Sequence, residues 1–154
     1  MIPIDIRIQP DDFDIAVEVE QVRDASADAG AIVTFSGICR SEDGRLAALE
    51  LEHYPGMAEA EIERIARQAA ARWPVTAITA IHRHGRIEPG HNIVLVVTAS
   101  SHRQAAFDAA NYLMDFLKTR APFWKKEHSI DGEAGDWVAA KDEDDSALER
   151  WKSE

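Results

Sequence analysis

Four basic side chains, Lys118, Arg120, Lys125 and Lys126, fall within residues 114–127, MDFLKTRAPFWKKE, around an Ala-Pro break and a Phe-Trp pair. Cationic groups gathered on a turn between two ordered elements can form an anion site. A lysine partly withdrawn from water also has a lowered pKa and can act as acid, base or nucleophile. A plainer reading competes for Lys118, because a cation in the last turn of a helix complements the macrodipole. Lys125 and Lys126 are consecutive in a predicted strand and therefore point to opposite faces. One of them must face inward or towards a cleft, unless that strand lies at an exposed edge. Glu127 shares a face with Lys125 and can pair with it.

His102 and Arg103 form a second candidate. The capping-box spacing of Ser101 and Gln104 predicts a helix starting at His102, with both residues in its first turn. Backbone N–H groups and the positive dipole end favour an anion there, and a cation in that turn is unfavourable unless an anion is close. A solvated helix start is the competing reading. The 16 positions from His102 to Lys118 span roughly 24 Å of helix, too far for one small ligand to touch both. Two separate sites satisfy this, or one site built from opposite ends of two helix copies in a homodimer.

Other groups carry weaker signals. Arg40 ends the strand that contains Phe35 and Gly37, a fixed position for gripping a phosphate or carboxylate. His82 and His84 share a strand face, but no third ligand is in register and no metal site is expected. Cys39 has no CxxC partner and reads as a packed thiol. There is no GxGxxG, P-loop or GxSxG.

The elements that must position these groups follow from periodicity. Ile2, Ile4, Ile6 and Ile8 alternate along a half-buried strand that Pro10 ends. Asp11 or Asp12 caps a helix over about residues 13–24. Residues 32–35 make a buried strand, Gly37 marks a bulge or close backbone approach, and SEDG, residues 41–44, is a turn. Leu49, Leu51 and His53 alternate along the next strand, which Pro55-Gly56 breaks. A helix over 57–73 carries the stripe Ala58, Ile62, Ile65, Ala69 and Trp73. Strands over 75–84 and 92–100 flank a turn at Glu88-Pro89-Gly90. The helix from His102 buries Ala106, Phe107, Ala110, Leu113, Met114 and Leu117, and stops near Arg120 because Pro122 disfavours helix before it. Strands over 123–130 and 136–139 and a short amphipathic segment with Leu148 and Trp151 complete the chain. From residue 46 to 130 the order is strand, helix, strand, strand, helix, strand. That is the split βαβ order of ferredoxin-like domains, with extra strands at both ends. An α+β single domain over 1–154 with an antiparallel or mixed sheet is expected, a fold that by itself selects no function.

With 17 basic and 28 acidic residues the 154-residue chain carries a formal charge of −11. That argues against a nucleic-acid or anionic-membrane binder, which needs a broad positive footprint. It leaves room for a small basic pocket. The lone cysteine fits a reducing compartment. MIPIDIRIQPDD has no basic n-region or long apolar core, so no signal peptide is expected. The densest apolar run, 93–97, is far too short for a bilayer. A soluble cytoplasmic protein is expected.

The strings VTFSGICR, LELEHYPGM, IHRHGRIEPG, SSHRQAAFDAANYLMDFLKTRAPFWKKE and GDWV resemble the MoaE family, the large catalytic subunits of molybdopterin synthase. The resemblance runs from Gly30 to Trp151 and implies an α+β fold with hammerhead-type additions. It implies an enzyme, a sulfurtransferase of molybdenum cofactor biosynthesis. Such an enzyme inserts two sulfurs into cyclic pyranopterin monophosphate to form the dithiolene of molybdopterin. The implied sulfur donor is the thiocarboxylated C-terminal Gly-Gly of a small ubiquitin-like partner subunit. The implied assembly is a homodimer of large subunits within a heterotetramer, with no cofactor or metal. Carried over by position, the catalytic lysines fall on Lys118 and Lys125. Substrate binding falls on Ile38, Cys39 and Arg40, on Lys126 and Glu127 beside the two lysines, and on His102 and Arg103 from the other large subunit. Lys141, after GDWV, is an additional basic contact. Many relatives have a lysine where Ile38 stands, and the SEDG loop is shorter than usual, so the details of phosphate binding are expected to differ. The partner tail needs a narrow channel, for which Phe35, Met114, Pro122 and Phe123 are candidate walls. The competing class is a non-enzymatic, anion-binding ferredoxin-like regulatory module using the helix start alone. It gives no reason for the lysine-aromatic stretch.

Overall fold

The computed structural model describes residues 1–120, 122–138 and 151. In chain order the elements are β1 Ile4–Gln9, α1 Ile15–Ala25, β2 Ala31–Ile38, β3 Leu46–His53 and α2 Met57–Arg72. They continue as β4 Val75–Arg83, β5 Gly85–Ile87, β6 Asn92–Ser100, α3 Arg103–Thr119 and β7 Phe123–Ser129. The α+β class, mixed sheet and βαβ-like order expected from the sequence are present. The strands, however, divide between two sheets, β1-β4-β6-β2 and β5-β3-β7. In the first, β1 runs parallel to β4 and the other pairs are antiparallel. β1 and β2 flank β4 and β6 as the edge strands of the first sheet, and β3 and β7 are not part of it. They pair with each other instead, and β5 adds to β3.

Layering explains the strand compositions. α2 and α3 cover one face of the first sheet through Ile62, Ile65, Ala69, Ala109, Leu113 and Phe116. α1 covers the other through Val22, which packs with Ile81, Leu95 and Val97. β4 and β6 are buried on both sides, which is why their sequences are continuous apolar runs. A third, small cluster of Cys39, Leu51 and Ile87 lies with the second sheet.

Several expectations need correction. The α1 cap is Asp14, whose Oδ1 accepts from the amides of Ala16 at 3.0 Å and Val17 at 3.3 Å. Asp12 is engaged elsewhere, accepting from Asn92 Nδ2 at 2.9 Å and the Phe13 amide at 2.7 Å. β2 is an edge strand and not a buried one, which leaves Phe35 and Ile38 exposed. Gly37 behaves as expected. The ladder shifts register between Gly37 and Ile38, and a Cβ on Gly37 would lie 2.7 Å from Val94 Cγ1. α3 starts one residue later than predicted, with His102 at the N-cap position and no side-chain cap. The Ser101–Gln104 capping box does not form. Ser101 Oγ donates to the Asp28 carbonyl, Gln104 donates to Asp108, and it is Ser100 Oγ that accepts from the His102 amide. Phe107 points to solvent, because the buried stripe of α3 runs through Ala105, Ala106, Ala109, Ala110, Leu113, Phe116 and Leu117. β5 is too short for periodicity to reveal. Around Trp137 there is an isolated bridge from Val138 to Lys125 in place of a strand. Lys141, Leu148 and residue 139 lie outside the described residues.

Candidate active site

Lys118, in the last turn of α3, and Lys125, on β7, line one cleft of about 580 Å³. The same cleft is lined by Ile38, Cys39 and Arg40 from the end of β2, and by Glu127 two residues beyond Lys125. Strand parity accounts for the β7 contribution. Lys125 pairs with Leu51 and Glu127 with Leu49 across the β3–β7 ladder, so both lie on the face that carries the cleft. Lys126, on the opposite face, sits with its ammonium 4.8 Å from the centre of the Trp137 ring, within cation–π range. The two consecutive lysines thus divide as strand geometry requires.

The wall beside the end of β7 is a tight turn. Glu42, Asp43 and Gly44 all adopt positive φ, at 52°, 58° and 80°. Only the glycine does so without steric cost. Two arginines meet this turn. Arg40 Nη2 lies 3.0 Å from Glu42 Oε1, and Arg45 Nε donates to the Glu42 carbonyl at 3.1 Å. The Arg40–Glu42 pair is solvent-exposed on the arginine side, so an incoming anion displaces it at a cost of roughly 0–1 kcal/mol. Glu42, Arg45, Leu46, Leu49, Ile93 and Ser129 complete the lining, none of them singled out from the sequence. Ser129 was reachable, since it has the same strand parity as Lys125 and Glu127. Arg45 carried no local signal.

Cys39 is a passive member. Its Sγ is near the carbonyls of Arg40 and Ile87, and burial pushes its thiol above the ordinary range. A thiol kept protonated is a poor nucleophile. Behind Lys118 lies an aromatic cluster. His82 stacks on Phe123 with centroids 3.8 Å apart, and His53 lies 4.6 Å from His84 and 6.1 Å from Phe123. Burial above all drives His82 down to about 4, opposed by the hydrogen bond to the Arg83 carbonyl and helped to a lesser extent by charge interactions with His53, His84 and Lys118. The ring is therefore neutral at physiological pH. Among the described residues no group of three or more metal-ligating side chains converges, and no helix is long and apolar enough to cross a membrane.

The remaining sequence candidates are elsewhere. His102 and Arg103 are exposed at the far end of α3, and Arg103 stands roughly 22 Å along the helix axis from Lys118. Within one chain they are not part of the cleft. Phe35, Met114, Pro122 and Phe123 do not line it either. Phe35 is exposed on an edge strand, whereas Met114 and Phe123 pack against the main core. The cleft that does form gathers four cations and two carboxylates in a chain of net charge −11. Such a site can bind an anion, stabilise charge that develops on it and pass protons through its amines.

Residues 8–120 match the family model described as MoaE protein. The chain is 68% identical over 149 residues to the molybdopterin synthase catalytic subunit of Rhizobium meliloti (strain 1021), covering 97% of this chain and 96% of that one. It is 65% identical over 148 residues to the protein of the same name from Mesorhizobium japonicum, covering 96% and 93%. Among solved structures it is similar to the molybdopterin biosynthesis MoaE protein from Burkholderia ambifaria, with a TM-score of 0.84, 48% identity and complete coverage of both chains.

Proposed function

The chain belongs to the MoaE family of molybdopterin synthase catalytic subunits, and from that premise we propose that the Lys118–Lys125 cleft is its sulfur-transfer site. The enzyme transfers sulfur to the molybdopterin precursor. In our reading the precursor is cyclic pyranopterin monophosphate, and the donor is the C-terminal thiocarboxylate of a small ubiquitin-like partner subunit. The relatives' designation as a catalytic subunit supports a second subunit in the enzyme. The observation that carries the assignment is the convergence of Lys118 and Lys125, from different elements, on a cleft that also contains Arg40.

The roles follow from the chemistry of each group. Lys118 and Lys125 flank the thiocarboxylate, stabilise its charge and move protons as sulfur adds and water leaves. Arg40 grips the substrate by charge-assisted hydrogen bonds once its exposed pairing with Glu42 is exchanged for the anion. His102 and Arg103 join from a second large subunit in a homodimer, itself the core of a heterotetramer. The length of α3 supports this, because it keeps them out of their own chain's cleft. We place this chemistry in the cytoplasm, where a free thiol such as Cys39 stays reduced. A regulatory module using the helix start alone would leave the four-cation cleft without a role.

The test is to incubate the protein with a thiocarboxylated partner and the cyclic pterin and to assay dithiolene product. Lys118→Ala and Lys125→Ala should each lower turnover by about a hundredfold or more. Full transfer by both variants would remove the assignment. Mixing Arg103→Ala with Lys118→Ala protein tests the shared site. Activity above either parent is expected, and no recovery counts against a site built from two subunits.

A further inference from the structure

We propose that Arg45 is a second anion-binding arginine of this cleft, acting with Arg40 to hold the substrate's phosphate. The proposal rests on the sulfur-transfer reading and adds to it a residue that sequence patterning did not single out. Three observations carry it.

The first is placement. Arg45 lines the cleft together with Arg40, Lys118 and Lys125. Its backbone is tied down on both sides: its amide donates to the Glu42 carbonyl at 3.2 Å, and its carbonyl accepts from the Ile130 amide at 3.0 Å. The next residue, Leu46, donates to the Ser41 carbonyl at 2.9 Å and pairs with Ser129 on β7. Arg45 is thereby anchored to the strand that carries Lys125. The second is side-chain geometry. The Nε–Glu42 carbonyl bond ties the guanidinium to the turn, and its planar fork carries two Nη groups that match the spacing of phosphate oxygens. The third is charge. At this wall the β2 end contributes Ile38, exposed and apolar, so cationic contacts must come from Arg40 and from the turn that follows it. Glu42 occupies the position between the two arginines, its carboxylate on Arg40 and its carbonyl on Arg45. A phosphate that displaces the Glu42 carboxylate takes its place on Arg40, and Arg45, lining the same cleft from the other end of the turn, supplies the second guanidinium.

The measurement is steady-state turnover of the full-length chain with its thiocarboxylated partner, varying the pterin phosphate and the partner separately. Loss of a charge-assisted contact made equally in ground and transition states raises KM by about ten- to a hundredfold with kcat unchanged. That is expected for Arg45→Ala, with the KM for the partner within about twofold of wild type. Arg45→Lys keeps the charge and loses the fork, and should recover part of the difference. An unchanged KM for the pterin in Arg45→Ala overturns the proposal. So does a rise confined to the partner's KM, which would make Arg45 a docking contact. Failure of the wild type to form dithiolene would count against the sulfur-transfer reading by itself. Equilibrium binding of the cyclic pterin phosphate then decides Arg45: weaker binding by Arg45→Ala supports it, and equal affinity overturns it.

Discussion

Replacing His82 by phenylalanine should flatten the acid dependence of stability, and the size of the effect can be worked from the structure. In the folded chain the His82 ring is stacked on Phe123, with His53, His84 and Lys118 as titratable or cationic neighbours, and its pKa falls from 6.5 to about 4. As pH drops, the unfolded chain takes up this proton first. Stability is therefore complete above about 6.5 and drains away between there and about 4, with linkage setting a ceiling of about 3 kcal/mol. The ring keeps some contact with solvent, so about 2 kcal/mol is the expected share. Phenylalanine preserves the stack and cannot titrate. It also lacks the Nδ1 contact to the Arg83 carbonyl at 2.8 Å, but once that contact is lost the loss is common to all pH values. His84, also lowered chiefly by burial, acts in the same direction and is present in both proteins. The assay is urea unfolding of wild type and His82→Phe at about pH 7.5 and about pH 4.5, comparing the change in free energy and not its absolute value. Wild type should lose about 2 kcal/mol more than the variant across that interval. Parallel losses, equal within about 0.5 kcal/mol, would refute the view that burial against Phe123 keeps this histidine neutral.

Three further outcomes can be checked by thermal or chemical denaturation. Gly30→Ala places a Cβ 2.2 Å from the Ser101 carbonyl oxygen, a backbone atom that cannot swing aside. It should destabilise the fold by about 2–3 kcal/mol. Trp151→Ala removes an indole packed edge-on against Trp73 and Tyr112 and hydrogen-bonded to Asp115 at 2.6 Å. A loss of about 2 kcal/mol is expected, read as a lowered Tm. Lys118→Ala, at an exposed position, should keep its stability within about 0.5 kcal/mol while losing turnover, separating a chemical role from a structural one.

Local pattern determined much of this protein. The order and type of the long elements were legible because apolar period depends only on neighbours in the chain, as in the runs of β4 and β6 and the α2 stripe. The division of Lys125 from Lys126 followed from strand parity, and the separation of His102-Arg103 from Lys118 followed from helix rise. The family's sequence strings pointed to Arg40, Lys118 and Lys125, which the fold then brought to one cleft. What remained depended on competition between distant groups. Asp14 caps α1, whereas Asp12 is held by Asn92, 80 residues away. β2 is exposed because it is left at a sheet edge, and β3 pairs with β7, 70 or more residues on, in a separate sheet. Arg45 and Glu42 enter the site only when the turn before β3 closes beside β7. Periodicity and parity are properties of a short segment, whereas pairing partners and cleft walls are settled by which edges and hydrogen-bonding groups remain open once the other elements have packed.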